Sequence, residues 1–520
     1  MTTAEPLLPA QRPAPLDRWR ARIAADPQRE RLLAWLVPAL VTLLAGALRF
    51  WNLGHPRAIV FDETYYVKDS WSQWVLGFPA KWPTEGADAL FLGGDTNAFE
   101  TAGSFVVHPP LGRFFIGLGM ALFGPDSSTG WRFAVAVFGT ATVLLVYLVA
   151  KTLTGSVAFA GIASGLLAID GLSIVLSRVA LLDGILTFFL LFGFWFVLLD
   201  RRTHVDRLAA FAAAREADGH HPAWGPVFWN RPWLLAAGAA LGAATAVKWS
   251  GLYVLAAFGV WIVVTDALAR RRAGVGIWPA DAAFRQGPVA FLLLVPVAAV
   301  VYLASWTSWL TTDSGWDRHS VDNAPAQGFW SWVPLGIQNL WHYHQQIYGF
   351  HVGLTTPHSY QSPAWQWPLL IRPTSMYWNQ GDAGVEAVSS IPNPLIWWAA
   401  VAAVVFLAAR FAMTLEWRYA AVLIGAAATY VPWLLYPERT IFQFYTVAIM
   451  PFLVLALTFA LREITGRADA APARRAAGQN SVIVFLVIVA LVSAFWYPVW
   501  TGMTVPYDFW RIHNWLPTWI

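Results

Sequence analysis

Long apolar runs separated by short polar segments make up most of this chain. A helix rising 1.5 Å per residue needs about 20 apolar residues to cross the hydrocarbon core of a bilayer. Eleven runs are read as spans: about 32–53, 131–150, 155–172, 180–199, 232–247, 250–268, 288–307, 394–412, 419–436, 440–461 and 481–500. The run Leu111–Gly124 has 14 residues. That is too short to cross, so it is expected to lie at the interface or re-enter. Arg49, at the outer end of the first span, is expected to snorkel toward the headgroups.

Positive charge orients the spans, because Lys and Arg accumulate in short cytoplasmic loops. Residues 1–31 carry six Arg and lack the apolar core of a cleavable signal peptide, so they read as a cytoplasmic N-terminal segment. Loops 200–231, 269–287 and 462–480 are cytoplasmic as well, and the Ala-rich centre of the first is expected to be a surface helix. Loops 54–130 and 308–393 then face outward, as does the C-terminus. With the short loops that carry Lys151 and Arg410 and Arg418, the cytoplasmic segments hold 22 of the 34 Lys and Arg residues. Loop 308–393 is rich in Trp, Tyr, His and Pro, and short helices on the membrane surface are expected there.

Composition agrees with this layout. Charged residues are 12% of the chain and hydrophobic residues 57%, where a soluble domain carries about 25% charge. The 32 Trp residues suit the headgroup level. The absence of Cys rules out disulfides and thiolate chemistry. A net charge of +4 held in short loops reflects topology rather than nucleic-acid binding. The fold class expected is an all-α polytopic membrane protein: residues 32–520 form one transmembrane domain of about eleven helices with juxtamembrane helices on the outer face.

Polar groups gather on the outer side of this layout. Asp62 and Glu63 stand beside Tyr65 and Tyr66 just after the first span. His108 precedes two prolines in His108-Pro-Pro-Leu-Gly112. Arg132 opens the second span, Asp170, Arg178 and Asp183 lie at the next outer turn, Lys248 ends the fifth span, and Arg439 lies between the ninth and tenth. Each has a structural alternative: Asp62 as a helix N-cap, Arg178 paired with Asp183, Arg439 paired with Glu438. Ionisable groups near hydrocarbon are costly, so several on one side describe a pocket. Cations there suit a lipid phosphate, and a carboxylate beside them suits a general base. No HExxH, CxxC or P-loop pattern is present, so an activated lipid would have to supply the energy.

Four motifs in this order carry a resemblance: Phe61-Asp-Glu-Thr-Tyr-Tyr66, His108-Pro-Pro-Leu-Gly112, Ser177-Arg178 followed by Leu181-Leu182-Asp183, and Lys248-Trp-Ser-Gly251. Together they resemble the protein O-mannosyltransferase family from about residue 32 to the end. The resemblance implies a GT-C glycosyltransferase fold in the cell (plasma) membrane, with the active site outside the cytoplasm. It implies a polyprenyl-phosphate-mannose donor and a Ser/Thr hydroxyl acceptor on an exported protein, taken at the translocon. Asp62 would be the general base of an inverting displacement, with Glu63 at sugar or acceptor. Arg439, Lys248, Arg132 and Arg178 are the candidates for the donor phosphate, and His108, Tyr65, Asp183 and Gln443 for substrate binding. No cofactor is expected, and a divalent metal is left open. Loop 308–393 is too short for the β-trefoil domain of eukaryotic members, so the chain looks like an actinobacterial-type member. Gln443-Phe-Tyr445 stands where such members tend to have His-Tyr.

Two other readings compete. A GT-C transferase moving another lipid-linked sugar to a glycolipid would share the outer pocket. A transporter would need mid-membrane charges or a cytoplasm-facing site, and internal repeats are not apparent.

Overall fold

The computed structural model describes residues 25–520 except 218, 220, 221 and 468, together with 14, 17, 18, 21 and 22. The expected N-terminal segment 1–31 therefore lies largely outside the described residues. Helix α1 (Pro27–Phe50) starts where the Asp26 carboxylate accepts from the backbone N–H groups of Gln28 and Arg29, with Pro at the first helical position. Arg49 at its end does not snorkel. It is fully buried, and its guanidinium donates to the carbonyls of Leu167 and Ala168 and to the hydroxyls of Ser173 and Ser177.

The segment that follows holds α2 (Glu63–Leu76) and α3 (Leu111–Phe123). Helix α3 packs between α2 and α4 (Ser128–Thr154). Two of its glycines make that fit possible. A Cβ on Gly117 would lie 2.8 Å from the Ser70 carbonyl, and one on Gly119 would lie 2.5 Å from the Gly130 carbonyl. Small residues at such contacts let helix backbones approach closely.

Next come α5 (Val157–Ala168), the single turn α6 (Gly171–Val175) and α7 (Leu182–Ala217). Helix α7 runs 36 residues, so the Ala-rich segment expected as a separate surface helix is its continuation. No Gly or Pro interrupts it after Gly193. Helices α8 (Pro232–Val247), α9 (Ser250–Arg272) and α10 (Gly287–Ser305) follow. Arg231, at the N-cap of α8, donates to Asp200 of α7 at 3.1 Å and Asp266 of α9 at 2.7 Å, which ties the three helices together at that end.

Loop 308–393 is more structured than expected. It contains the 19-residue helix α11 (Leu335–Gly353) and an antiparallel hairpin of β1 (Ser375–Gly381) and β2 (Gly384–Ser389). The hairpin departs from a purely helical fold. Gly384, at φ +136°, helps close its tight turn, a conformation open to Gly. The chain ends with α12 (Pro394–Thr414), α13 (Trp417–Leu434), α14 (Met450–Ile464) and α15 (Pro472–Thr501). Helix α14 begins ten residues later than the expected span, after a 3-10 turn at Gln443–Ala448. Pro451 suits the first turn of a helix, where no N–H partner is needed.

Seven helices among the described residues are long and apolar enough to cross a bilayer, including Trp278–Ser305, which contains α10. The expected spans 232–247 and 419–436 appear as helices of 16 and 18 residues, and 155–172 and 440–461 as shorter ones of 12 and 15. This is a multi-pass membrane protein.

Candidate active site

Asp62 and Glu63 sit at the entrance to α2. Phe61, just before them, holds a left-handed backbone at φ +47°, a strained conformation for an aromatic residue. Its ring is fixed by edge contacts with Phe442, Phe444 and His358. Asp62 occupies the N-cap position, yet its side chain caps nothing. Among the described residues its carboxylate makes no hydrogen bond or ion pair. Burial pushes its pKa up to about 6, against the pull of Lys248 and with a further push from Asp183.

Glu63 points the other way. It is fully buried, and its two oxygens meet Arg132 Nε and Nη2, each at 2.9 Å. The same oxygens accept from the backbone N–H groups of Val60 and Ala180. Arg132 uses its remaining donors on the carbonyls of Leu53, Pro56 and Ala58. Arg178 donates to the carbonyls of Arg49, Trp51 and Asn52. Glu63, Arg132 and Arg178 thus hold the turn between α1 and α2, and none of the three lines the cavity described next. Asp170 likewise caps α6 and accepts from Asn393 N–H.

Several of the predicted polar groups do converge, at a cavity of about 870 Å³. Lys248, at the C-cap of α8, reaches Asp183 at 2.8 and 3.0 Å and lies 4.9 Å from the centre of the Tyr445 ring. Asp183 thus pairs with Lys248 and not with Arg178. His108 stacks on His351 at 5.3 Å between ring centres and lies 6.1 Å from Tyr66. Burial holds His108 well below the usual His range, with Lys248 adding to the effect. Arg439 lines the same cavity, and its guanidinium lies 5.6 Å from the Trp433 ring. It forms no ion pair with Glu438 among the described residues. Asp62 does not itself line the cavity. It stands beside it, close enough to feel the charges of both Lys248 and Asp183.

Two expected substrate ligands are elsewhere. Tyr65 is 65% exposed and absent from the lining, and Gln443 is fully buried, bonding to the Thr446 hydroxyl. Tyr445 lines the cavity instead, and Tyr66 stands behind it against the His108 ring. Sequence reading also missed one whole wall, the face of α11 formed by Trp341, His344, Gln345, Tyr348, His351 and Val352. Its signal was the spacing of three to four residues, which puts His344, Tyr348 and His351 in one row. On that wall Trp249 Nε1 donates to Tyr302 Oη at 3.0 Å, and Tyr302 Oη lies 2.5 Å from His344 Nε2. No group of three or more His, Asp or Glu among the described residues is arranged to hold a metal ion. The site thus combines an unpaired carboxylate, two cations and aromatic walls beside apolar helices, which suits an amphipathic anionic ligand.

Comparison with known proteins gives the same picture. A family model described as dolichyl-phosphate-mannose-protein mannosyltransferase matches residues 99–312. A second, the C-terminal four-transmembrane region of protein O-mannosyltransferase, matches residues 336–519. The polyprenol-phosphate-mannose–protein mannosyltransferase of Mycobacterium tuberculosis is 33% identical, over 99% of this chain and 97% of its own length. Its counterpart in Corynebacterium glutamicum is 29% identical over 92% of each chain. Among solved structures, the S. cerevisiae protein O-mannosyltransferase Pmt1–Pmt2 complex bound to the sugar donor superposes with a TM-score of 0.70 at 16% identity, over 94% of this chain and 92% of that one. An archaeal oligosaccharyltransferase from Archaeoglobus fulgidus gives 0.52 at 13% identity, covering 94% of this chain and 58% of its own. The fold is that of the GT-C membrane glycosyltransferases, and the chain belongs to the protein O-mannosyltransferase family.

Proposed function

We propose that this protein transfers mannose from polyprenyl-phosphate-mannose to Ser/Thr hydroxyls of exported proteins at the outer face of the membrane. The observation that carries this reading is Asp62: a carboxylate without a partner, beside a cavity that holds Lys248 and Arg439. The names of the relatives supply the donor and the protein acceptor.

The step is a single displacement with inversion. The acceptor oxygen attacks the anomeric carbon as its proton passes to Asp62. The bond from that carbon to the phosphate oxygen breaks, and polyprenyl phosphate leaves with the electron pair. A carboxylate with its pKa near 6 is deprotonated at neutral pH and is a stronger base than an ordinary Asp. Arg439 faces the phosphate with its guanidinium, and Lys248 adds charge from a fixed position against Asp183. The acceptor is taken as it leaves the translocon, in a cell-membrane topology with residues 1–31 inside and the C-terminus outside.

Asn has nearly the shape of Asp but cannot take a proton. Single-turnover transfer to a Ser/Thr peptide at saturating donor should fall about 10²-fold or more in Asp62→Asn. Donor binding and thermal stability should persist. Turnover near the wild-type rate would remove Asp62 as the base.

A further inference from the structure

Arg439 sits on a short loop, and a guanidinium on a flexible stem grips phosphate well only when its fork is held. The loop itself is anchored: Thr440 N–H donates to Leu354 O at 3.0 Å, its hydroxyl donates to Thr356 O at 2.6 Å, and Ser362 N–H donates to Ile441 O at 2.8 Å. Among the described residues one group hydrogen-bonds the side chain. Arg439 Nη2 lies 3.0 Å from His351 Nδ1, and His351 Nε2 lies 2.9 Å from the Val107 carbonyl. A carbonyl only accepts, so the His351 proton is on Nε2, and Nδ1 presents its lone pair to the guanidinium. A neutral imidazole is required for this, and the burial of His351 and the nearby Arg439 charge favour that form. Arg439 Nε is buried without a hydrogen-bond partner among the described residues. The fork is thus held at one corner while another N–H remains unused.

We propose that His351 is a positioning residue for the donor phosphate: it fixes the Arg439 guanidinium from one nitrogen and is itself fixed by Val107 from the other. This rests on the reading of Arg439 as a phosphate ligand. The chain of contacts also links the two outer loops, since Val107 precedes the His108-Pro-Pro turn and His351 belongs to α11. His108 stacks on the same ring, so one side chain sets the orientation of two lining residues.

The test uses the full-length protein in detergent with undecaprenyl phosphate and undecaprenol as competing ligands. His351→Phe keeps a ring against His108 and removes both hydrogen bonds. His351→Gln can still donate to Val107 through its amide nitrogen and accept from Arg439 through its oxygen. In His351→Phe the donor KM should rise about tenfold, the scale of one hydrogen bond to a charged group, with kcat within about threefold. Undecaprenyl phosphate should weaken to the same degree and undecaprenol should not. His351→Gln should recover most of the loss. In an Arg439→Ala background His351→Phe should add little, because its effect passes through that guanidinium. Equal weakening of both ligands, or additive losses in the double variant, would overturn the inference and leave His351 as a packing residue. Undecaprenyl phosphate binding unchanged by Arg439→Ala would instead overturn the phosphate reading itself, and the role of His351 with it.

Discussion

Asp62 and Glu63 are adjacent in sequence and opposite in fate. The sign of the Asp62 shift fixes a pH dependence. Its pKa in the folded protein, about 6, is above the ordinary carboxylate value. The base form, and with it kcat/KM, should therefore rise with pH through about 6 and level off above it. Donor saturation would bring out a separate limb in kcat. In Asp62→Asn this limb should vanish, and an unchanged acid limb would assign it to another group. Linkage runs the opposite way for stability. Ionising a buried acid with a raised pKa costs stability as pH rises from the ordinary value to about 6. Asp62→Asn should then melt no lower than wild type at neutral pH. Glu63 is a different case, since removing one partner of a buried ion pair leaves the other uncompensated. Glu63→Ala should cost about 3–5 kcal/mol of stability, read as a large drop in thermal midpoint. A variant that melts normally but is inactive would return Glu63 to the reaction. The sequence located both carboxylates because charge at a membrane boundary stands out. It could not separate them, because standing unpaired beside a cavity and facing an arginine differ only in three dimensions. The same limit applied to Arg178 and, beyond its pair with Glu63, to Arg132: their partners are backbone carbonyls, which any sequence supplies.

At the scale of elements, apolar length and terminal residues were legible. Helix α8 begins and ends where its Pro and the Lys248 motif mark it. The 14-residue run became a 13-residue helix, α3. At 1.5 Å per residue it extends about 20 Å, short of the roughly 30 Å core. This predicts that the segment after it stays on the outer side. Asp126 is exposed, and the chain has no Cys, so Asp126→Cys should react with an impermeant thiol reagent in intact cells. Reaction only after permeabilisation would overturn the eleven-span layout. The hairpin of β1 and β2 was not legible. Its strands are short, its residues mix Trp, Asn and Glu without clean alternation, and it lies in a loop whose aromatic content suggested interfacial helices. Helix α11 was hidden for a related reason. Its His residues fall on two sides, with His344 and His351 at the cavity and His342 against Asp317, so its period did not read as a hydrophobic stripe.

At the scale of the whole molecule, the ionic groups fall into two regions with different tasks. Arg231 with Asp200 and Asp266, and Arg270 with Asp281, are closed networks whose charges face one another. At the cavity Arg439, and beside it Asp62, have no countercharge in contact among the described residues. The cavity wall has a kinetic consequence. Leu252 of α9 and Leu303 of α10 both line it, yet they are 50% and 42% exposed, so the space runs out onto the apolar flank of the molecule. On that flank the surrounding medium is acyl chain. A prenyl-linked reactant arriving there is counted per unit area of bilayer, and litres of buffer are irrelevant to its encounter rate. Adding inert phospholipid to proteoliposomes at fixed total donor should therefore slow transfer by surface dilution. Diluting the vesicles in buffer at fixed lipid composition should leave the donor term untouched and lower only the contribution of a water-borne peptide. A rate that followed bulk donor concentration would mean that the reactant enters from water.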